Sequence, residues 1–254
     1  MTALFEARDI TKRYGHVEAL RGADFSLEAG EVVALIGDNG AGKSTLVKCL
    51  SGVETPDSGT LLLRGEPITL TSPQQARARG IETVYQDLAL APELGPAENA
   101  FIGRELLRPG LLGRLGVLDK KGMRARAAAA FTSLGTDVKD LDAPVAALSG
   151  GQRQSVAICR AVMWASGIVF MDEPTAALGV RQTRNVLDLV RRVADGGVGV
   201  VLITHNMADV LQVADRVEVL RLGRRVARLS ADECDVEHLV AAMTGGLDER
   251  EGAA

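Results

Sequence analysis

The chain has 254 residues, of which 46% are hydrophobic and 24% charged, and its net charge is −4. This composition excludes a disordered or fibrous chain. Nucleic-acid-binding proteins usually carry an excess of positive charge, which this acidic chain does not have. The three cysteines form no CxxC pair, so we expect a reducing compartment and no disulfide framework.

A chain of this length can form one α/β domain over 1–254, with a smaller inserted subdomain. The N-terminal "MTALFEARDITKRYG" has no continuous apolar run, so we expect no signal peptide there. No stretch approaches the roughly 20 apolar residues of a membrane-spanning helix, and we expect any membrane role to come through a partner. Residues 245–254 are expected to form a frayed tail.

The first 65 residues are typical of short strands separated by turns, and "GIETVYQ" is typical of a further strand. A helix is predicted between "EVVALIG" and "GTLLLRG" at "GKSTLVKCLSG", which has helical spacing and ends on glycine. The predicted strands are "LFEARDITKRY", "GADFSLEAG", "EVVALIG", "GTLLLRG" and "GIETVYQ".

From about residue 88 to 165 the composition changes to alanine, leucine and arginine, which predicts an inserted helical subdomain. Apolar runs then return at "GIVFMD" and "GVGVVLITH", separated by the helical "RQTRNVLDLVRRVAD" and followed by a helix at "NMADVL". Apolar strands that alternate with helices predict a parallel sheet covered by helices on both faces. We expect Trp164 to pack the helix after residue 149 onto the core.

The stretch "GDNGAGKST" matches the phosphate-loop pattern G-x-x-x-x-G-K-[ST], and it follows a predicted strand and opens a predicted helix. In such a loop the backbone amides surround phosphate oxygens, and the helix N-terminus adds positive potential. Lys43 would reach the β- and γ-phosphates of ATP, and Ser44 would ligate Mg²⁺. The plainer alternative is a glycine-rich turn with a solvated lysine. The predicted ATP-binding residues here are Gly37, Asp38, Asn39, Gly40, Ala41, Gly42, Lys43, Ser44 and Thr45.

Two adjacent acids end the apolar run "IVFM". In nucleotide hydrolases built on this loop, the acid that ends such a strand faces Mg²⁺, and Asp172 has this position. Glu173 would face the γ-phosphate and polarise the attacking water, which makes it a candidate catalytic residue. The alternative is a pair of solvated acids at a strand end.

The stretch "LSGGQRQ" at 148–154 precedes a helical run. Ser149 is expected to cap that helix, and the glycines to shape the turn. A helix N-terminus that is capped by serine, and whose backbone amides are left accessible by glycines, is also suited to bind a γ-phosphate. The local and functional interpretations are therefore compatible.

The phosphate loop, "LSGGQ", "MDEP" and a later "ITH" follow one another in the order found in the ATP-binding subunit of an ABC transporter, and the chain resembles that family from about Phe5 to Thr244. The resemblance implies an α/β fold. Its parts are a P-loop NTPase core with a mainly parallel sheet, an N-terminal antiparallel β subdomain and an inserted α-helical subdomain.

The resemblance also implies roles for three further residues. Tyr14 would stack on adenine, Gln86 would lie near Mg²⁺ as a ligand and sense the membrane partner, and His205 would contact the γ-phosphate as a second catalytic residue. Each has a plainer alternative: a half-buried strand aromatic, a polar strand end and a helix cap, respectively.

In the family that this chain resembles, "LSGGQ" closes over the nucleotide held by a second subunit. The resemblance therefore implies a head-to-tail homodimer, in which the partner subunit's ATP is bound by Ser149, Gly150, Gly151 and Gln152. Many members carry an aspartate where this chain has Gly179, and the aspartate reaches across the dimer. With both acids at 172–173 intact, we predict an active enzyme whose two sites are more loosely coupled.

A narrower resemblance is carried by "VYQDLALAPELGPAENAFIGRE" and "AVMWASGIVFMDEPTAALGV". Both stretches are similar to the ATPases of bacterial monosaccharide importers of the ribose, xylose and fructose type. This implies an ATPase that drives sugar import from the cytoplasmic side of the membrane. Its partners would be membrane-spanning permease subunits and, indirectly, a sugar-binding protein, with no nucleic acid.

Two other functions remain as alternatives. A non-transport ABC ATPase would act on ribosomes or DNA, but such proteins usually have paired domains, coiled-coil insertions or basic arms. A small-molecule kinase would use the phosphate loop and leave "LSGGQ" without a role.

Overall fold

The computed structural model describes residues 3–136, 138, 140–176 and 178–246. The predicted frayed tail lies outside these residues from position 247 onward. The described strands are β1 (Phe5–Tyr14), β2 (Val17–Leu27), β3 (Val32–Ile36), β4 (Ser58–Leu63), β5 (Glu66–Ile68), β6 (Ile81–Val84), β7 (Ile168–Asp172), β8 (Gly199–Ile203), β9 (Arg216–Arg221) and β10 (Arg224–Ser230). The described helices are α1 (Lys43–Leu50), α2 (Pro73–Ala78), α3 (Pro96–Phe101), α4 (Leu111–Arg114), α5 (Lys120–Ser133), α6 (Gly150–Trp164), α7 (Val180–Asp195), α8 (Met207–Val213) and α9 (Val236–Thr244).

The larger sheet has six strands in the order β10-β9-β3-β8-β7-β6. All neighbours from β9 to β6 are parallel, and only β10 runs antiparallel to its neighbour. Strands β3 and β8 are buried along their whole length, as expected for central strands covered on both faces. The predicted parallel sheet is confirmed.

The smaller sheet is antiparallel, in the order β2-β1-β4-β5. Phe5 in β1 pairs with Leu27 on one side and with Leu63 on the other. The two sheets meet where the amide of Arg21 donates to the carbonyl of Gly223 over 2.8 Å. The N-terminal antiparallel unit implied by the resemblance is therefore present.

Helices α3 to α6 lie within the segment predicted to be helical, 88–165. Phe101, Phe131 and Val156 share one apolar cluster with Met171 and Val200 of the large sheet. Helices α3, α5 and α6 therefore bury their apolar faces in the same core as the strands, whereas α4 has no buried residue. The boundary of a separate subdomain stays a prediction.

Trp164 packs as predicted. Its ring meets that of Phe101 edge to face, with centroids 5.4 Å apart, and its indole N–H donates to the carbonyl of Ala100 over 2.9 Å. The contact fixes the end of α6 against α3.

All three cysteines are free thiols, and burial raises the pKa of Cys49 and Cys159 to about 11.

The sequence analysis missed β5, α2, β9, β10 and α9. Strand β9 is buried but has Glu218 at its centre, which interrupts the apolar run that would have identified it. The carboxylate of Glu218 is paired with the guanidinium groups of Arg216, Arg225 and Arg228. Burial raises the pKa of Glu218, and the three arginines oppose that shift. Only these arginine partners make a buried charge acceptable in the strand.

Candidate nucleotide-binding site

The phosphate loop connects β3 to α1. Gly37 and Gly42 have φ angles of 151° and 103°. A Cβ on Gly37 would lie 2.1 Å from the carbonyl oxygen of Leu220, and one on Gly42 would lie 2.6 Å from that of Ala19. Glycine is therefore required at both positions by conformation and by space. Helix α1 begins directly after this loop, and no side chain caps its first turn, which leaves its amides to bind an anion.

Lys43 lies folded over the loop. Its Nζ donates to the carbonyl oxygens of Gly37 over 2.6 Å and Asp38 over 3.0 Å. Burial lowers the pKa of Lys43, while the nearby carboxylates of Glu173, Asp38 and Asp172 oppose that shift. The structure thus brings the lysine of the loop and the two acids of β7 into one site.

Asp172 is the last residue of β7 and pairs with Ile203 of β8. Its pKa is raised by burial and by the charge of Glu173, and Lys43 opposes the shift. The effect of Lys43 is the smallest of the three, so the negative charge of Asp172 is only partly compensated. Its position is suited to a cation.

Glu173 turns out of the strand in the left-handed region, with φ at 50°, and its amide donates to the carbonyl of Ile203 over 2.8 Å. Its Oε1 lies 2.7 Å from Nδ1 of His205, and the hydroxyl of Thr204 donates to Oε2 over 3.4 Å. Glu173 is 16% exposed, whereas His205 is 78% exposed. The two predicted catalytic residues are in direct contact at the end of the sheet.

The alternative role of His205 as a helix cap is wrong. Helix α8 is capped by Asn206, whose side chain accepts a hydrogen bond from the amide of Ala208 over 3.1 Å. The imidazole of His205 therefore does not cap α8.

One buried contact beside the site was missed. The hydroxyl of Thr175 donates to Oδ2 of Asp209 over 2.6 Å, and both side chains are buried. This bond ties the segment after Glu173 to the helix after His205. No pattern in the sequence indicated it, because Asp209 is an ordinary acid in the first turn of a helix.

Tyr14 lies at the end of β1 and is 43% exposed. Its hydroxyl donates to the carboxylate of Glu54, and burial and Glu54 raise its pKa to about 12, with a smaller opposing effect from Thr45 of the phosphate loop. The ring is thus held beside the loop with one part open to solvent, as stacking on a base requires. Gln86 is exposed two residues beyond β6, the strand that pairs with β7.

Ser149 caps α6 as predicted. Its hydroxyl accepts from the amide of Gln152 over 3.3 Å, and the side chain of Gln152 accepts from the amide of Ser149 over 3.0 Å. This reciprocal pair satisfies two helix-end donors. A Cβ on Gly151 would lie 2.7 Å from the side chain of Gln182, so glycine allows α6 to approach α7 closely.

An open cavity of about 580 Å³ lies between the start of α6 and the outer face of α7. Ser149, Gly151 and Gln152 line it on one side, and no residue of the phosphate loop lines it. Among the described residues no hydrogen bond joins 37–45 to 149–152. The cavity at the start of α6 is therefore formed without the phosphate loop of the same chain.

Gly179 is the N-cap of α7 and has no side chain to cap it. A Cβ at this position would approach Oε1 of Gln182 to 2.8 Å. The atom that this Cβ would approach is the flexible end of the Gln182 side chain, which can move aside.

The donor groups at the site fit a magnesium ion. Asp172 supplies a carboxylate, Ser44 a hydroxyl at the start of α1 and Gln86 an amide oxygen at the neighbouring strand end. Among the described residues no cluster of three histidine, cysteine or acidic side chains could hold a metal by itself. Mg²⁺ needs only a few protein ligands at sites where the phosphates of the substrate complete its coordination shell.

Comparisons with known proteins agree on one family. A sequence model of the family described as "ABC transporter" matches residues 20–176. The chain is 49% identical over 247 residues to the fructose import ATP-binding protein FrcA of Rhizobium meliloti, covering 96% of this chain and 95% of that one. It is 44% identical over 244 residues to the xylose/arabinose import ATP-binding protein XylG of Sulfolobus acidocaldarius, with coverage of 96% and 95%.

A third relative is longer. The ribose import ATP-binding protein RbsA 1 of Rubrobacter xylanophilus is 45% identical over 245 residues, but the match covers 96% of this chain and 48% of the relative. The chain thus spans about half the length of that protein. Among solved structures, a nucleotide-free ATP-binding cassette from an ABC transporter has a TM-score of 0.80 at 26% identity, over 94% of this chain and 95% of that one. The ADP conformation of another such cassette has a TM-score of 0.82 at 25% identity, over the full length of both chains.

Proposed function

Because this chain belongs to the ABC transporter family, we propose that it is the ATP-hydrolysing, energy-coupling subunit of an importer for a monosaccharide. The observation that carries ATP hydrolysis is the contact of Glu173 with His205 at the strand end that also faces Lys43. The proposal that the transported substrate is a monosaccharide is supported by the relatives that are named for fructose, xylose/arabinose and ribose import.

Each residue of the site has a definite part in this function. The amides of 37–45 and the ammonium group of Lys43 would hold the β- and γ-phosphates, and Tyr14 would stack on the adenine. Asp172, Ser44 and Gln86 would hold Mg²⁺, which when bound neutralises charge on the phosphates.

Glu173 would polarise the water that attacks the γ-phosphate. A general base must lie within hydrogen-bonding reach of the proton it takes, and the carboxylate of Glu173 is already fixed by His205 and Thr204. His205 would hold this geometry and contact the γ-phosphate from its exposed position.

The complete site would require two copies of the chain. Each copy has one phosphate loop and one "LSGGQ", and the cavity beside Ser149 is not lined by the loop of the same chain, which supports this arrangement. In a head-to-tail pair, Ser149, Gly150, Gly151 and Gln152 of one copy would face the ATP held by the other. Two nucleotides would then lie between the subunits and hold them together.

The subunit would work with partners at the membrane. No helix in the described part of the chain is long and apolar enough to cross a bilayer, so the transport path would belong to separate permease subunits. A sugar-binding protein would act on the permease, and nucleic acid has no place in this function. The ATPase would thus be peripheral, on the cytoplasmic face.

Reconstitution tests the proposal. The chain is co-purified with the permease, and ATP hydrolysis is measured with the binding protein loaded with fructose, xylose or ribose. We expect one loaded form to stimulate hydrolysis, and Lys43→Ala to remove the activity because the cation on the phosphates is lost. Stable association with ribosomes in place of the permease would favour the alternative function and contradict ours.

A further inference from the structure

An exposed apolar hairpin follows α3. The hairpin, residues 106–119, is closed by its own backbone bonds, with the amide of Asp119 donating to Leu106 over 2.6 Å and that of Arg108 donating to Val117 over 2.9 Å. Helix α4 forms its tip. Close packing inside the hairpin depends on Gly113, where a Cβ would lie 1.9 Å from the carbonyl oxygen of Arg108. The hairpin is thus an ordered projection.

Large apolar side chains of this hairpin face solvent. Leu111 and Leu115 are 72% and 71% exposed, and Leu107 and Leu112 are about half exposed. Leu111 and Leu115 are one helical turn apart, so they lie on the same side of the tip. Single exposed leucines are ordinary on a protein surface, whereas four on one projection mark a contact surface.

The surrounding charge is strongly basic. Residues 102–126 carry seven basic and two acidic side chains, a local net charge of +5 in a chain whose net charge is −4. Arg108 and Arg114 on the hairpin and Lys121 and Arg126 on α5 are exposed. None of these four forms an ion pair with another residue in the described ranges. The local excess of positive charge therefore contrasts with the net negative charge of the whole chain.

We propose that hairpin 106–119 contacts the anionic lipid headgroups of the membrane directly, with its leucines entering the interface and the flanking basic side chains binding phosphates. Projecting leucines flanked by arginine and lysine are the combination that peripheral membrane contacts use. This goes beyond the proposed function, in which the membrane is reached only through the permease.

Vesicle sedimentation of the purified chain tests this contact without any partner. Vesicles of neutral phosphatidylcholine are compared with vesicles that contain a third of anionic phosphatidylglycerol. We expect binding to the anionic vesicles that weakens as salt is raised, because exposed charges are screened. The pair Leu111→Ser and Leu115→Ser should weaken it roughly tenfold, since two apolar side chains no longer enter the interface. Arg108→Gln with Arg114→Gln should weaken binding to the anionic vesicles alone.

The matched control is Leu222→Ser, which removes a leucine that is 65% exposed outside the hairpin and should leave vesicle binding unchanged. Thermal melting and binding of a fluorescent ATP analogue confirm that each variant is folded, and failure of the proposed ATPase would appear there or in turnover, separately from vesicle binding. Vesicle binding that the leucine pair does not reduce would overturn the proposal, as would the absence of binding by the wild type. Loss of permease co-purification in the leucine pair, without loss of vesicle binding, would assign the hairpin to the permease instead.

Discussion

At the scale of single residues, two adjacent carboxylates are placed in different surroundings. Asp172 stays in the strand, where burial and its neighbour raise its pKa. Glu173 leaves the strand at a positive φ and is held by His205 and Thr204. The positive φ of Glu173 takes its side chain away from the strand, so the two acids have different partners. This difference supports one role in binding Mg²⁺ and another in activating water.

We predict opposite phenotypes for the two amide substitutions. Glu173→Gln should keep ATP binding and lose turnover by roughly 10²–10⁴-fold, the usual contribution of a general base. ATP should then hold the dimer closed, which gel filtration detects as a larger species. Asp172→Asn should instead weaken binding that depends on Mg²⁺. Reversed phenotypes would show that the roles of the two carboxylates are exchanged.

Asp172→Asn has a further expected effect on the nucleotide-free protein. An acid whose folded-state pKa is raised contributes stability below its unfolded pKa and loses it as pH rises through the folded value. At neutral pH the charged Asp172 therefore costs stability. The amide should therefore raise Tm at pH 7, because it removes this buried charge. If Asp172→Asn left Tm unchanged at pH 7 and lowered it at pH 5, the predicted sign of the effect on stability would be contradicted.

At the scale of elements, helices α6 and α7 begin differently. Helix α6 starts with a reciprocal cap between Ser149 and Gln152, whereas α7 starts at Gly179 with no side-chain cap. Because α6 packs against α7 through Gly151 and Gln182, the start of α7 is positioned largely by its neighbour.

Gly179→Asp should stabilise the protein slightly. Aspartate is a preferred N-cap residue and its charge suits a helix N-terminus, so we expect a gain of about 0.5 kcal/mol, or about 1–2 °C in Tm. The side chain of Gln182 must move a little to accommodate the Cβ. The same substitution should raise the Hill coefficient of ATP hydrolysis in the assembled transporter, because it restores the carboxylate that many family members have.

Gly179→Ala is the control for that substitution, since it adds the Cβ without a carboxylate. It should lower Tm, because alanine is a poor N-cap residue. An equal gain from alanine would mean that the effect comes from the unfolded chain and not from capping.

At the scale of the whole molecule, the phosphate loop and "LSGGQ" face different surroundings in one chain. Two damaged chains should therefore complement each other when they are mixed. One carries Lys43→Ala, the other carries Ser149→Arg, and both carry Glu173→Gln to prevent hydrolysis. In the mixed dimer one site collects both lesions and the other is intact, so we expect occlusion of one ATP per dimer, measured with radiolabelled nucleotide.

Neither parental homodimer should occlude ATP, because each of its sites lacks either a functional loop or a functional partner motif. Occlusion by the Ser149→Arg homodimer would show that a single chain builds its own complete site. The head-to-tail arrangement would then fail. A tagged mixed dimer, purified through two different tags, ensures that the measured species contains both chains.

The sequence by itself determined the local motifs. The spacing of Gly37, Gly42 and Lys43 between a strand and a helix defines a phosphate loop, because each part is adjacent in the chain. The cap at Ser149 and the strand end at Asp172 are predictable for the same reason. The parallel sheet was also predictable, since its central strands are nearly continuous apolar runs.

Only the tertiary structure decided which side chains are paired between neighbouring strands and between separate elements. Strand β9 was hidden because Glu218 is neutralised by arginines on β9 and β10. The bond from Thr175 to Asp209 joins positions 34 residues apart. Burial and hydrogen bonding are properties of the packed chain, and a linear pattern does not record which side chain a distant partner satisfies.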